Sequence, residues 1–208
     1  TRFRNVTGVQ TCALPISVAL VATEGFADVI EIARQVRPSL YDQTVDRPVP
    51  LVPRHLRFGV AGRLDAQGRE VHPFDGTVPV LPGGVDAVAV CLLHSDLDPA
   101  HELSVGAALA APGRTVVCSH AVSPEFREYE RMVTTVVEAY LRPVCAPYLG
   151  RIAAAAREVL VMTSAGGLVT LEAAATTTAS LLLSGPAGGV RAAAEVAAAC
   201  GYTDAVSF

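Results

Sequence analysis

The sequence has no lysine and no tryptophan, so its 16 basic residues are all arginine, and aromatic residues make up only 5% of it. Its 20 acidic residues outnumber the basic ones and give a formal net charge of -4. Such a chain offers no electrostatic attraction to a phosphate backbone or to anionic lipid. The charge balance therefore argues against nucleic acid or a membrane surface as partner, and favours a small molecule or another protein.

Cysteine is scarce, and long apolar runs are missing. The five cysteines are odd in number and far apart, which fits neither a disulfide framework nor paired zinc ligands. Apolar runs fall short of the roughly 18 residues that a membrane span needs. We expect a soluble, cytoplasmic protein with reduced cysteines. Cys91, Cys118 and Cys200 lie in apolar runs and are interpreted as core residues, not as reactive thiols.

Neither end of the sequence resembles a natural end. Residues 6–16 read like the translation of a sequencing-library adapter, so we interpret residues 1–17 as a non-native leader. The alternative is a secretory segment at residues 12–22, which Pro15 and Ser17 interrupt. Residues 204–208 have the pattern of a strand that has just begun. Since a buried strand needs backbone partners, we expect a chain truncated at both ends.

Apolar strands alternate with helical segments along the first part of the chain, which predicts an α/β fold. We predict a strand at residues 17–22 and a helix capped by Thr23 that ends at Pro38. Four prolines make residues 38–54 an extended connection. A small β-rich insert at about residues 50–82 follows, with predicted strands at 56–64, 66–71 and 77–81.

The pattern continues to the end of the chain. The apolar run at residues 85–93 predicts a strand buried on both faces of a parallel sheet. Asp98 is expected to cap the next helix, and Ser123 to cap a long helix that pauses at Pro143. Further strands are predicted at 115–119, 160–164 and 180–183, and further helices at 171–176 and 185–200, the last of them closed by Gly201.

A cluster of polar residues follows the buried strand. Two imidazoles and three carboxylates within nine residues could bind a divalent metal. The same residues can be explained without a metal, because Asp98 can cap the helix and Glu102 suits its first turn. We therefore predict no metal here. The cluster consists of His94, Asp96, Asp98, His101 and Glu102.

Two glycine-rich turns are candidates for contact with a cofactor. Each follows a predicted strand, and the second opens a helix whose backbone N–H groups could hold an anion. Neither has the spacing of a known phosphate loop, and close packing of helix on sheet is the competing explanation. The candidate cofactor-binding residues are Ser164, Gly166, Gly167, Gly185, Gly188 and Gly189. No catalytic residue can be assigned from the sequence.

Seven sequence segments are spread in order over nearly all of the chain after residue 17. They are residues 23–29, 37–42, 89–95, 99–102, 124–131, 139–143 and 183–189. Together these segments resemble the amino-terminal half of the hydantoinase A/5-oxoprolinase family.

The resemblance implies an actin-like ATPase fold with a mixed sheet, in which two ribonuclease-H-like halves close over ATP and Mg²⁺. It implies ATP-dependent opening of a cyclic amide or imide by an oligomer with a hydantoinase B-type subunit or domain. A ketone carboxylase subunit or a non-catalytic assembly protein on the same fold are the alternatives.

The resemblance also divides the chain. Residues 18–178 would form the family's N-terminal region, and residues 179–208 would begin the second ATPase half. The phosphate hairpins of the family would lie outside the chain, so the fragment alone would be inactive. Residues 185–200 resemble the small-residue helix at the hinge between the halves of actin-like ATPases, so the resemblance favours a hinge and packing contact over a phosphate cradle for residues 184–189. Glu138 and Ala165 replace asparagines expected in the family.

Overall fold

The computed structural model describes residues 16–155 and 159–206. The chain forms two compact units, Thr1–Tyr140 and Leu141–Phe208. The boundary predicted after residue 178 separates the two halves of the family's ATPase fold. It is not the boundary between these compact units, and it stays a prediction. The α/β fold class is confirmed.

The first unit is built on a parallel four-stranded sheet with the order β2-β1-β5-β6. Strands β1 and β5 are fully buried because they are continuous apolar runs, as a sheet covered on both faces requires. The antiparallel pairs of the described residues belong to separate two-stranded hairpins. The strands of this unit are β1 (Val18–Thr23), β2 (Arg57–Val60), β3 (Arg63–Leu64), β4 (Glu70–His72), β5 (Ala87–Cys91) and β6 (Thr115–Cys118).

The end of the predicted leader is part of this sheet. Residues 1–15 lie outside the described residues, but Ile16 packs against the core. The backbone N–H of Ser17 donates to a carboxylate oxygen of Asp86 at 2.8 Å, and the Ser17 carbonyl accepts from the N–H groups of Asp86 and Ala87. These contacts fix the register at which β1 enters the sheet.

The helix predicted after β1 is wrong over most of its length. Thr23 does not cap it: Thr23 is the last residue of β1, and its hydroxyl accepts from the N–H of Leu93 at 3.0 Å. A single helical turn, α1 (Val29–Ile32), forms instead. Ala33 and Gln35 have φ of 52° and 56°, and this left-handed backbone ends the turn. Residues 34–53 contain neither helix nor strand, and a 3₁₀ turn follows at Arg54–Leu56.

The β-rich insert is smaller than predicted. β2 belongs to the main sheet, and β3 pairs with β4 across a turn at residues 65–68. The strand predicted at residues 77–81 is wrong, because Pro79 has no N–H to donate to a ladder and Val80 is 94% exposed.

The helices that follow are α2 (Ala100–Leu109), α3 (Ser119–Val122) and α4 (Glu128–Ala155), and the residues of α4 after Tyr140 belong to the second unit. Gly106 lets α2 lie close to β6, since a Cβ there would lie 2.9 Å from the sulfur of Cys118. Ser123 does not cap the long helix: its N–H donates to Ser119 O and closes α3 instead. α4 also continues through Pro143, where a pause was predicted, since a proline removes only one hydrogen bond from a long ladder.

The second unit contains a hairpin of β7 (Leu160–Met162) and β8 (Leu168–Thr170), followed by α5 (Leu171–Thr176) and α6 (Ser184–Ala199). Both helices match the sequence prediction. Gly201 has a φ of 84°, as a helix-closing glycine requires.

Two predicted strands of this unit are wrong. Residues 180–183 fall in and just after a 3₁₀ turn at Thr178–Leu181, where the Ser180 hydroxyl donates to Thr177 O at 2.7 Å and competes with an extended ladder. Residues 204–206 are not in a strand, and residues 207 and 208 lie outside the described part.

Candidate functional site

A buried polar cluster lies at the carboxyl edge of the parallel sheet. Because β1, β5 and β6 are parallel, the residues that follow them meet at one edge, which is where open α/β folds bind ligands. The first turn of α2 comes back to this edge after the loop that follows β5. We call this set the edge cluster; its members are Ser95, Asp96, Glu102, Ser119, His120 and Arg131.

Glu102 is the centre of the edge cluster. It is fully buried, and its Oε1 accepts from Leu92 N at 2.8 Å, from Ser95 Oγ at 2.9 Å and from Ser119 Oγ at 2.6 Å. Its Oε2 accepts from the backbone N of His120 at 3.0 Å and from Nδ1 of the same residue at 2.7 Å. Five donors from two segments, the loop after β5 and the start of α3, fill the acceptor capacity of one carboxylate. Glu102 therefore joins α2 to the ends of β5 and β6.

The contact with Glu102 orients the ring of His120. Nδ1 of His120 lies 2.7 Å from Oε2 of Glu102, and the tautomer of the ring decides which of the two atoms donates. Among the described residues Nε2 of His120 has no hydrogen-bond partner. The side chain of His120 is 20% exposed. A carboxylate-oriented imidazole of this kind can accept a proton or bind a metal.

Arg131 is the buried cation of the edge cluster. It is fully buried, and its Nη1 donates to Asp96 Oδ1 at 2.5 Å and to Glu125 O at 2.9 Å, while Nη2 donates to Leu92 O at 2.8 Å. Burial would lower the pKa of Arg131, but Cys91 and the carboxylate of Asp96 raise it above its ordinary value. The guanidinium stays charged and holds the chain after β5 in place.

Cys91 lies beside this cation without becoming a reactive thiolate. Burial raises the pKa of Cys91 to about 11, and the opposing effect of Arg131 is smaller. The thiol is therefore protonated near neutral pH, in line with the interpretation of Cys91 as a core residue. Cys118 is partly buried, whereas Cys200 is exposed. The core interpretation of Cys200 is wrong, because α6 buries none of its residues within the described structure.

The polar residues grouped by the sequence separate in space. Asp98 accepts from the N–H of Ala100 at 2.9 Å, as the capping explanation expects. Nε2 of His101 lies 2.7 Å from Glu70 Oε2 on the hairpin, and Asp96 pairs with Arg131. His94 has a φ of 58° in the loop after β5.

One group has ligand atoms close enough together for a metal. Atoms of Glu102, Cys118 and His120 lie within 4.8 Å of one another. The Glu102 carboxylate is already saturated with donors, and Cys118 Sγ lies 3.5 Å from the carbonyl oxygen of Glu102 as a donor. A metal would have to displace these hydrogen bonds, so the hydrogen-bonded arrangement explains the group without an ion.

Sequence reasoning missed His120, Ser119 and Arg131 as members of the edge cluster. No local pattern identifies them, because their partners are distant along the chain. The one available signal is their position just after a predicted strand or in the first turns of the helix that follows.

The six candidate cofactor-binding residues lie in the second unit. The turn between β7 and β8 is closed by Thr163 N donating to Gly167 O at 2.8 Å, and Ser164 N donates to Ser180 O. Arg191 on α6 donates from Nη1 to Gly166 O at 3.4 Å. The turn and the helix therefore come together, as a shared site would need.

The glycines at the start of α6 have different surroundings. A Cβ at Gly188 would lie 3.7 Å from Met162 Cγ on β7, so Gly188 packs the helix on the hairpin. Nothing lies within 4 Å of a Cβ built at Gly185 or Gly189, and both are exposed. The cofactor-binding role of all six residues stays a prediction.

Two family models match the chain. The hydantoinase/oxoprolinase N-terminal region matches residues 6–113, and the hydantoinase/oxoprolinase model matches residues 131–208. The chain belongs to the hydantoinase/oxoprolinase family. The matches thus cover most of the first unit, including Ser95, Asp96, Glu102 and Arg131 of the edge cluster, and the whole of the second unit; Ser119 and His120 lie between the two matched ranges.

Curated relatives agree with this assignment. An uncharacterized protein of Methanocaldococcus jannaschii is 34% identical over 86% of this chain, and caprolactamase subunit alpha of Pseudomonas jessenii is 37% identical over 69%. 5-Oxoprolinase 1 of Arabidopsis thaliana is 35% identical over 64%. The chain spans only 28%, 22% and 12% of the lengths of these three proteins.

Two solved structures share the fold. The nucleotide-free structure of acetone carboxylase matches with a TM-score of 0.77 at 25% identity, over 90% of this chain and 30% of its own. The ATP-dependent caprolactamase of Pseudomonas jessenii matches with a TM-score of 0.71 at 31% identity, over 89% and 29%. The chain therefore has the α/β architecture of actin-like ATPases, as the resemblance implied. Within the described residues no helix is both long and apolar enough to cross a membrane.

Proposed function

We propose that the full-length protein is an ATP-dependent enzyme that opens a cyclic amide or imide of the hydantoin or 5-oxoproline type. The observation that carries the proposal is the family match over both units of the chain. Relatives named caprolactamase and 5-oxoprolinase support it, since each name describes hydrolysis of a lactam. The 208-residue chain alone is proposed to be inactive, because it spans a small part of these proteins.

A ketone carboxylase is the second candidate. The acetone carboxylase structure has a TM-score of 0.77, slightly above that of the caprolactamase. Both chemistries share one feature. In lactams and in ketones such as acetone, an atom next to the carbonyl carbon carries a hydrogen whose removal makes the carbonyl oxygen nucleophilic. That oxygen can then accept the γ-phosphoryl group of ATP.

ATP with Mg²⁺ is the proposed cofactor, and the start of α6 suits a polyphosphate. Gly185 and Gly189 are exposed with open space where a side chain would be, so a phosphate can approach the backbone. The N–H groups at the start of a helix attract an anion. We propose Ser164, Gly166, Gly167 and Gly188 as further residues near the nucleotide. A hydantoinase B-type partner in an oligomer and a cytoplasmic location complete the proposal.

The test uses the full-length protein with its partner subunit, ATP and Mg²⁺. One set of reactions contains hydantoin, 5-oxoproline or caprolactam, and a second contains acetone or acetophenone with labelled bicarbonate. We expect ADP and a ring-opened product in the first set, at a rate that bicarbonate does not change. Fixation of the label with a ketone, without hydrolysis of any cyclic amide, would replace the hydrolase by the carboxylase.

A further inference from the structure

We propose that residues 36–51 of the first unit form the surface on which the partner subunit of the full-length protein docks. The proposal rests on the proposed function, since it needs the hydantoinase B-type partner named there. It gives that partner a place on this chain, which we call the 36–51 surface. The large apolar side chains of this surface are Val36, Leu40, Tyr41, Val45, Val49 and Leu51.

The 36–51 surface concentrates apolar side chains that the first unit leaves exposed to solvent. Six of the twelve large hydrophobic side chains that are exposed in the described part of this unit lie in it. Tyr41 is 97% exposed, and Val49 is 89% exposed. Single exposed apolar residues are ordinary on a protein, but a set of them in one short segment marks an interaction site.

Polar contacts hold both ends of the segment against the first unit. Just before it, Arg34 Nε donates to Glu130 Oε1 on α4 at 2.8 Å. At its end, the carbonyl oxygen of Leu51 accepts from the hydroxyl of Tyr140 at 2.7 Å, and Val52 is fully buried. The apolar side chains between these two ends are therefore held at one place on the unit without being part of its core.

The turn that carries Tyr41 is already hydrogen-bonded. The N–H of Asp42 donates to Ser39 Oγ at 3.0 Å. Asp42 Oδ1 in turn accepts from the N–H of Thr44 at 2.9 Å and from its hydroxyl at 2.7 Å. A segment that is ordered before binding loses less conformational entropy when it docks. Leu40 and Tyr41 are thus presented on a preorganised turn.

The composition and length of the 36–51 surface suit a protein partner. Tyrosine and arginine are the residues enriched in binding hot spots, and Arg37 has no carboxylate partner among the described residues. Residues 36–51 also supply more than half of the roughly 20–30 residues that one side of a standard interface contains. We therefore expect the partner to present an apolar patch that carries an acidic group for Arg37.

The relatives favour a different subunit over a second copy of this chain. An alignment of 156 residues is 22% of caprolactamase subunit alpha but only 12% of 5-oxoprolinase 1. The relative that is not named a subunit is thus nearly twice as long as the one that is. A separate partner would supply to the shorter kind of chain what the additional length supplies to the longer kind.

The binding test uses the full-length protein and the separately purified hydantoinase B-type subunit of the same organism. Calorimetry compares the wild type with Tyr41→Ala, and we expect the Kd for the partner to rise at least about tenfold. The melting temperature should stay unchanged, because the Tyr41 side chain is almost wholly exposed. Phe126→Ala, which removes an exposed aromatic ring outside the 36–51 surface, is the matched control and should keep the Kd within about twofold.

Hydrogen–deuterium exchange identifies what covers the 36–51 surface. In the full-length protein alone we expect fast exchange of these backbone N–H groups, and slow exchange once the partner is added. Slow exchange in the protein alone at every concentration would mean that its own chain covers the surface. Slow exchange that sets in as the protein concentration rises would mean a second copy. Either result overturns the proposal, as would a Kd unchanged by Tyr41→Ala or no binding between the wild-type proteins.

These measurements separate the docking surface from the proposed function. ATP-dependent ring opening by a complex in which residues 36–51 exchange as fast as in the free protein would refute the surface and leave the function standing. Protection of residues 36–51 by the partner, in a complex that consumes no ATP with any cyclic amide or ketone, would refute the function and leave the surface standing.

Discussion

Glu102→Gln should destabilise the first unit strongly although it changes no side-chain volume. Glutamine replaces one carboxylate oxygen by an NH₂ group, which donates and cannot accept. If the NH₂ group takes the place of Oε1, the N–H of Leu92 and the hydroxyls of Ser95 and Ser119 lose their acceptor. If it takes the place of Oε2, the backbone N–H and the ring Nδ1 of His120 lose theirs. The second orientation is the less costly.

The magnitude follows from this count. A hydrogen bond to a charged group contributes about 1.5–3 kcal/mol, so losing two costs about 3–6 kcal/mol. A change of tautomer lets His120 accept from the new amide, which leaves its backbone N–H unpaired and lowers the cost to about 2 kcal/mol. We therefore expect a loss of about 2–6 kcal/mol from a total stability that is typically about 5–15 kcal/mol.

Urea unfolding followed by far-ultraviolet circular dichroism measures this loss. Glu125→Gln is the matched control, because that glutamate is exposed in the same unit, and it should change stability by less than about 0.5 kcal/mol. A cost for Glu102→Gln no larger than that of the control would refute the role of Glu102 as the centre of the edge cluster.

Three further experiments test the packing and burial of individual residues. Gly106→Ala places a methyl group 2.9 Å from the sulfur of Cys118 and should lower the free energy of unfolding by about 1–3 kcal/mol. Gly150→Ala on α4 meets nothing within 4 Å and should raise it by up to about 1 kcal/mol. Urea unfolding measures both, and a larger loss for Gly150→Ala than for Gly106→Ala would contradict this. Arg131→Met removes the partner of the largely buried Asp96 carboxylate and should lower the free energy of unfolding by about 3–5 kcal/mol. An unchanged midpoint of urea unfolding would contradict this. Iodoacetamide at pH 8 should modify exposed Cys200 and spare buried Cys91, whose pKa of about 11 keeps it protonated; peptide mass mapping that finds Cys91 modified first would contradict the burial argument.

The regular elements with continuous patterns could be predicted from the sequence. The apolar run at residues 85–93 contains β5, and the alanine-rich segment before Gly201 is α6. Predictions failed where a local contact competed with the pattern. Thr23 accepts a hydrogen bond from a distant backbone N–H instead of capping a helix.

The edge cluster could be predicted only in part. Glu102 and Asp98 stood out as acidic residues at the start of a helix, and Asp98 does accept a backbone hydrogen bond there. The donors to Glu102 come from residues 7, 10, 17 and 18 positions away, and only the parallel order of β5 and β6 brings them together. His120 carries no local signal because its role depends on that long-range contact.

The central proposal is that the full-length protein is an enzyme in which ATP activates a carbonyl group. The most direct test is the stoichiometry of ADP formation by the full-length complex with a cyclic amide in limiting amount. We predict one ADP for each ring opened and no ring opening without ATP. Ring opening at an equal rate in the absence of ATP, or ADP formation that ignores the amount of cyclic amide, would contradict the account.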